Sequence, residues 1–215
     1  MLSIALSHYT DDNKHHGIAH IQAVLDCAVV LKGGTPSSAT PLSSLSRAEL
    51  VLSPQEIAAI VWHDAAISGY GKEGHALRGA LLFRESNLLH GWFTPSDAAG
   101  IEEAIRWHSK SSRLSTEFPS ALAELLASAD RELPKTGADL YRRSIHYHLD
   151  LGESPEQVAV SAYEHLREII HPEYVQQHYP RLYLDRFSRE VDAAYQYVQT
   201  CSLEHVRGLV ANAVR

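Results

Sequence analysis

The sequence predicts an all-α fold, on three observations. Apolar residues recur at i, i+3, i+4 and i+7 along most of the chain. Helix starts are marked by Ser or Thr followed by Pro. No segment sustains the period-two alternation of β-branched residues that a strand needs.

The elements follow in order. Met1-Leu2-Ser3-Ile4-Ala5-Leu6 has no basic flank and too short an apolar run for a signal peptide. Residues 15–32 read as a helix, with Ile21, Val24, Leu25 and Ala28 as its buried stripe. Residues 33–46, rich in Gly, Ser, Thr and Pro, read as a mobile loop. The second helix has Ser53 as N-cap, Pro54 at its first position and Glu56 to complete a capping box. It carries Ile57, Ile60 and Val61 to His63 and Asp64, and stops before the Gly69-Tyr70-Gly71 turn. A third helix covers about 73–89. A fourth runs from Thr94-Pro95 to His108 over the stripe Ile101, Ala104 and Ile105. A fifth follows Pro119 and presents Leu122, Leu125, Leu126 and Ala129. Further helices are expected over 140–151, over 155–170 and through much of 173–214, with a kink or break at Pro180.

With 215 residues, 45% hydrophobic and 21% charged, the chain suits one globular domain without disulfide staples. Cys27 and Cys201 fit no zinc or redox spacing, and two lone thiols point to a reducing compartment. No apolar run reaches membrane-span length, so a cytoplasmic protein with no membrane partner is expected. The net charge of −7 argues against extended nucleic acid but leaves room for a small phosphorylated substrate. A homo-oligomer is compatible with this composition.

Fourteen histidines are the unusual count. His20 lies beside Ile21 and one turn before Val24, and His63 and Asp64 end an apolar helix. His108 continues the series Ile101, Ala104 and Ile105. Asp130 is in line with Leu122 and Leu126. Buried carboxylates are costly unless they are paired or ligate a metal. Inward Asp and His together therefore point to a divalent cation, and mixed imidazole and carboxylate donors suit Mn, Fe, Co, Ni or Zn, with Mg disfavoured.

The order His, His-Asp, His, His, Asp resembles the HD superfamily of metal-dependent phosphohydrolases. The matching stretches are His16-Gly-Ile-Ala-His20-Ile-Gln-Ala-Val24, Ile60-Val-Trp-His63-Asp64-Ala, His75-Ala-Leu-Arg-Gly79-Ala-Leu-Leu, Ile105-Arg-Trp-His108 and Ala129-Asp130. The resemblance implies an HD-domain-like helical bundle with additional C-terminal helices. It covers a metal-binding core over 14–131, and the remaining expected helices form a C-terminal extension over 140–215 of the same single domain. It implies His20, His63, Asp64 and Asp130 as primary ligands. His75 and His108 are then ligands of a second ion bridged by Asp64, or phosphate-binding or proton-transferring groups beside a single ion. The chain lacks the Gly-Tyr-Pro segment of cyclic-dinucleotide phosphodiesterases. Ala-Ala-Ile-Ser follows its dyad instead of Ile-Gly-Lys, which argues against that substrate.

The expected function is hydrolysis of a small phosphomonoester or phosphodiester, such as a nucleotide, with one or two divalent ions. Asp64, His75 and His108 carry the catalytic roles. Arg78 and Arg131 are the favoured phosphate-binding cations among Lys72, Arg78, Lys110, Arg113 and Arg131. His16, one turn before His20, reads as a rim residue or a partner that orients a ligand. Trp62 and Trp107 read as pocket walls or core. The alternatives are a di-iron oxygenase of the same superfamily and a non-catalytic metal- or nucleotide-binding regulatory module.

Overall fold

The computed structural model describes residues 1–9, 16–36, 51–67, 71–109 and 117–214. His15, Gly69, Tyr70, Lys110, Arg113 and the loop from residue 37 onward lie outside the described residues. Among the described residues there are eleven helices and no strand, so the fold is all-α. None of these helices is long and apolar enough to cross a membrane.

Six helices belong to the first of two compact units, which spans Met1–Leu133 together with Pro180–Arg186. They are α1 (Leu2–Leu6), α2 (Ile18–Leu31), α3 (Pro54–Trp62), α4 (His75–His90), α5 (Pro95–Trp107) and α6 (Ala121–Ala129). Their starts are chemically marked. The Ser53 hydroxyl accepts from the Glu56 N–H while the Glu56 carboxylate accepts from the Ser53 N–H, and Pro54 occupies the first position of α3. The Thr94 and Ser120 hydroxyls accept from the Asp97 and Ala123 N–H groups and cap α5 and α6. α3 is the hub and packs against α1, α2, α4, α5 and α6. Six of its nine residues are buried, from Ile57 to Trp62. Trp62 is a core residue that meets Phe83 and Trp92, while Trp107 is half-buried at the end of α5.

Gly79 explains how closely α4 approaches α3. A Cβ there would lie 2.9 Å from the His63 carbonyl oxygen and 3.1 Å from that of Trp62. Only glycine lets the helix carrying His75 sit against the end of the helix carrying His63.

The second unit spans Pro134–Tyr179 and Phe187–Arg215. It holds α7 (Asp139–Asp150), α8 (Pro155–Ile169), α9 (Pro172–His178), the later part of α10 (Arg181–Thr200) and α11 (Leu203–Ala213). Its core joins Tyr141, Ile145, Val158, Ala162, Val198, Val206 and Val210. Helix α10 loses helical dihedrals at Phe187, where the division into units falls. The expected break at Pro180 is present, and a second one at Ser202, the cap of α11, divides the long C-terminal segment again.

Candidate metal centre

Helix ends build the site. His63 is the C-cap of α3, His108 that of α5 and Asp130 that of α6. His75 opens α4, and His20 lies in the first turn of α2. Three helix C-termini and two helix N-termini thus deliver donor side chains to one place.

Two donor groups result: His20, His63, Asp64 and Asp130, and then Asp64, His75 and His108. In the first, the His20 Nε2 is 3.3 Å from the His63 Nε2, 3.4 Å from Asp64 Oδ2 and 3.1 Å from Asp130 Oδ1. The His63 Nε2 is 3.4 Å from Asp64 Oδ2 and 3.3 Å from Asp130 Oδ1. Tetrahedral donors about 2.0–2.1 Å from a common ion sit about 3.3–3.4 Å apart, so this spacing can accommodate a divalent cation. In the second group the His75 and His108 Nε2 atoms are 3.1 Å apart, and they lie 3.4 and 3.6 Å from Asp64 Oδ1. Asp64 therefore gives one carboxylate oxygen to each group.

Hydrogen bonds fix which nitrogen faces inward. The Nδ1 atoms of His63, His75 and His108 lie 2.6, 2.7 and 2.6 Å from the carbonyl oxygens of Ile60, Lys72 and Ile105. A carbonyl only accepts, so each Nδ1 carries the proton and each Nε2 is left as the inward donor atom. The Nδ1 of His20 instead meets Glu132 Oε1 at 2.9 Å. Nε2 lone pairs this close to one another and to carboxylates require positive charge between them, supplied by protons or by a metal ion.

The electrostatics of the centre say the same. Burial alone lowers His63, but Asp64 and Asp130 outweigh it and push it up to about 10. Burial likewise opposes the charged form of His20, yet hydrogen bonds to Asp130, Asp64 and Glu132 hold it well above the ordinary imidazole range. Buried Asp64 and half-buried Asp130 stay well below the carboxylate range, because the surrounding imidazoles favour their ionised forms. His75 moves the other way, lowered by burial and by the adjacent His108.

All six sequence-derived ligand candidates come together. His16 is close as well, with its Nδ1 2.7 Å from Asp64 Oδ2. Arg78 donates to the Gly71 carbonyl at 2.7 Å, half-buried Arg131 directly follows Asp130, and Lys72 is exposed while its carbonyl anchors His75. The sequence reading missed Glu132 and Tyr9. The buried Tyr9 hydroxyl donates to the Val61 carbonyl at 3.1 Å, beneath the end of α3. No local pattern marks either residue; the one available signal was that Glu132 is an acidic side chain two residues from a ligand.

Compared with profiles of protein families, with curated proteins and with solved structures, the chain matches none.

Proposed function

We propose that this chain is a metal-dependent hydrolase of small phosphoesters, built as an HD-superfamily domain. The observation that supports it best is Asp64 giving Oδ2 to His20 and His63 and Oδ1 to His75 and His108. A carboxylate so shared suits two adjacent divalent ions of the Mn, Fe, Co, Ni and Zn series. When bound, such ions supply Lewis-acid polarisation and an acidified water.

The chain's own residues supply the rest. His20, His63, Asp64 and Asp130 would hold a first ion, and Asp64, His75 and His108 a second. Asp64 would also orient the attacking water. In a one-ion centre His75 and His108 would instead face the substrate, where either would bind its phosphate or donate a proton to the leaving oxygen. Arg78 and Arg131 are the cations assigned to the phosphate, which a guanidinium can fork onto.

The same bridging favours a second reading, an oxygenase that carries a pair of irons on these donors. The deciding experiment is metal analysis of the purified protein, then a phosphoester panel with Mn, Co, Ni and Mg. Turnover that requires added metal and fails in Asp64→Ala is the expected result. Two irons per chain, oxygen consumption and no phosphoester turnover would overturn the hydrolase in favour of the oxygenase. Metal uptake without any turnover would reduce the chain to a binding module.

A further inference from the structure

We propose that Glu132 is a positioning residue for the metal centre, orienting His20 through its Nδ1–H, and that Tyr183 holds Glu132 in place. The inference rests on the reading of the donor groups as a metal centre.

His20 differs from the other three inward histidines. Those three anchor Nδ1 on a carbonyl three residues earlier. For His20 the equivalent carbonyl belongs to Gly17, and it already accepts from the backbone N–H groups of His20 and Ile21 at 3.0 and 3.2 Å. The acceptor comes instead from 112 positions away, as the Glu132 carboxylate.

One imidazole is thus clamped at both nitrogens by carboxylates two residues apart. Asp130 Oδ1 lies 3.1 Å from Nε2 and Glu132 Oε1 lies 2.9 Å from Nδ1. A carboxylate behind a ligating histidine fixes its tautomer and raises its basicity.

The backbone supports this placement. Glu132 has φ +62°, the one positive φ outside glycine among the described residues. A residue with a Cβ holds that conformation only where its surroundings over-determine it, and such residues cluster at functional sites. Here the Glu132 N–H donates to the Ala129 carbonyl at 2.8 Å and the Tyr183 hydroxyl donates to the Glu132 carbonyl at 3.2 Å. Tyr183 is buried and belongs to Pro180–Arg186, the segment that groups with the first unit. In that segment Leu182 also donates to the Glu124 carboxylate on α6 at 2.9 Å.

The test measures zinc affinity and count by calorimetry and elemental analysis, and the stability of the chelated form by denaturant titration. The proteins are wild type, Glu132→Gln, Glu132→Gly, Tyr183→Phe, His20→Ala and the double variant of His20→Ala with Glu132→Gln. Glu132→Gln should weaken zinc binding about 10–100-fold with the chelated fold intact. Glu132→Gly relieves the backbone strain, which offsets part of the lost hydrogen bond to His20, so its chelated form should stay folded while it binds zinc more weakly. Tyr183→Phe should show a smaller loss of affinity. In the His20→Ala background Glu132→Gln should cost nothing further, because Glu132 acts through His20.

Unchanged affinity in both Glu132 variants overturns the proposal. So does a loss of affinity that survives in the His20→Ala background, or one that merely tracks lost stability. If Glu132→Gly fails to fold, Glu132→Gln and the double variant decide. A wild-type protein that takes up no zinc, manganese or iron overturns the metal reading itself, which separates the two failures.

Discussion

At the scale of single residues, Asp64 carries the most. Its two oxygens serve different donor groups, so removing it differs in kind from removing a terminal ligand. Asp64→Ala should lose both ions, while His75→Ala should lower the metal count by one and leave the His20, His63 and Asp130 group loaded. Elemental analysis under metal-replete conditions checks this, and a full metal complement in Asp64→Ala would sink the assignment. A second prediction concerns pH. In the metal-free protein His63 is raised from 6.5 to about 10, so its contribution to stability is complete below pH 6.5 and is lost as pH rises through about 10. Metal replaces those protons, so the gain in Tm on adding zinc, relative to chelator, should grow from pH 6.5 to 9.5. A gain that is flat or shrinks across that window would contradict the picture. Five of the six ligand candidates were legible because each lies on or beside an apolar stripe, where a polar side chain needs a reason; His75 entered only through the resemblance. Glu132 was not, since its role depends on a left-handed turn and on a tyrosine 51 positions later.

At the scale of elements, helix starts were the most readable feature, because a cap is a local contract between neighbours in sequence. Ser53, Thr94 and Ser154 each precede a Pro and each cap a helix as the sequence predicts. The short helix Leu2–Leu6 and the break at Ser202 were less readable. The first has no side-chain cap, and the second interrupts a continuous helical pattern with nothing stronger than one serine. Gly79 marks where element packing sets the site. Gly79→Ala gains helix propensity of about 1 kcal/mol, but its methyl meets two backbone oxygens that cannot rotate away. The expected net result is a loss of about 1–3 kcal/mol, together with weakened binding at His75 and His108 and retained binding at His20 and Asp130. Thermal melts with metal titration test this, and a stabilised variant with two full sites would refute it. Ser53→Ala is the contrasting case: loss of the capping box should cost about 1 kcal/mol while metal binding persists, because no donor moves.

For the whole molecule, a net charge of −7 opposes approach by polyanions. Equal phosphate concentrations of mononucleotides and of single-stranded or duplex nucleic acid should therefore give faster turnover of the small substrate. Faster cleavage of the polymer would reverse that reading. The return of Pro180–Arg186 to the first unit was not legible in the sequence. Nothing in the run from Glu173 to Val214 marks Pro180–Arg186 as a segment that groups with the first unit rather than with the helices around it. That return has a consequence for how the protein is made. Synthesis proceeds from the N-terminus, and the donor set is incomplete until Asp130 has left the ribosome. The clamp on His20 waits two residues longer for Glu132, and its brace, Tyr183, arrives only after another 51 have been added. A nascent chain paused between those points would hold every ligand and lack the side chain that steadies the last carboxylate, so ion uptake during translation should strengthen in a second step once Tyr183 emerges.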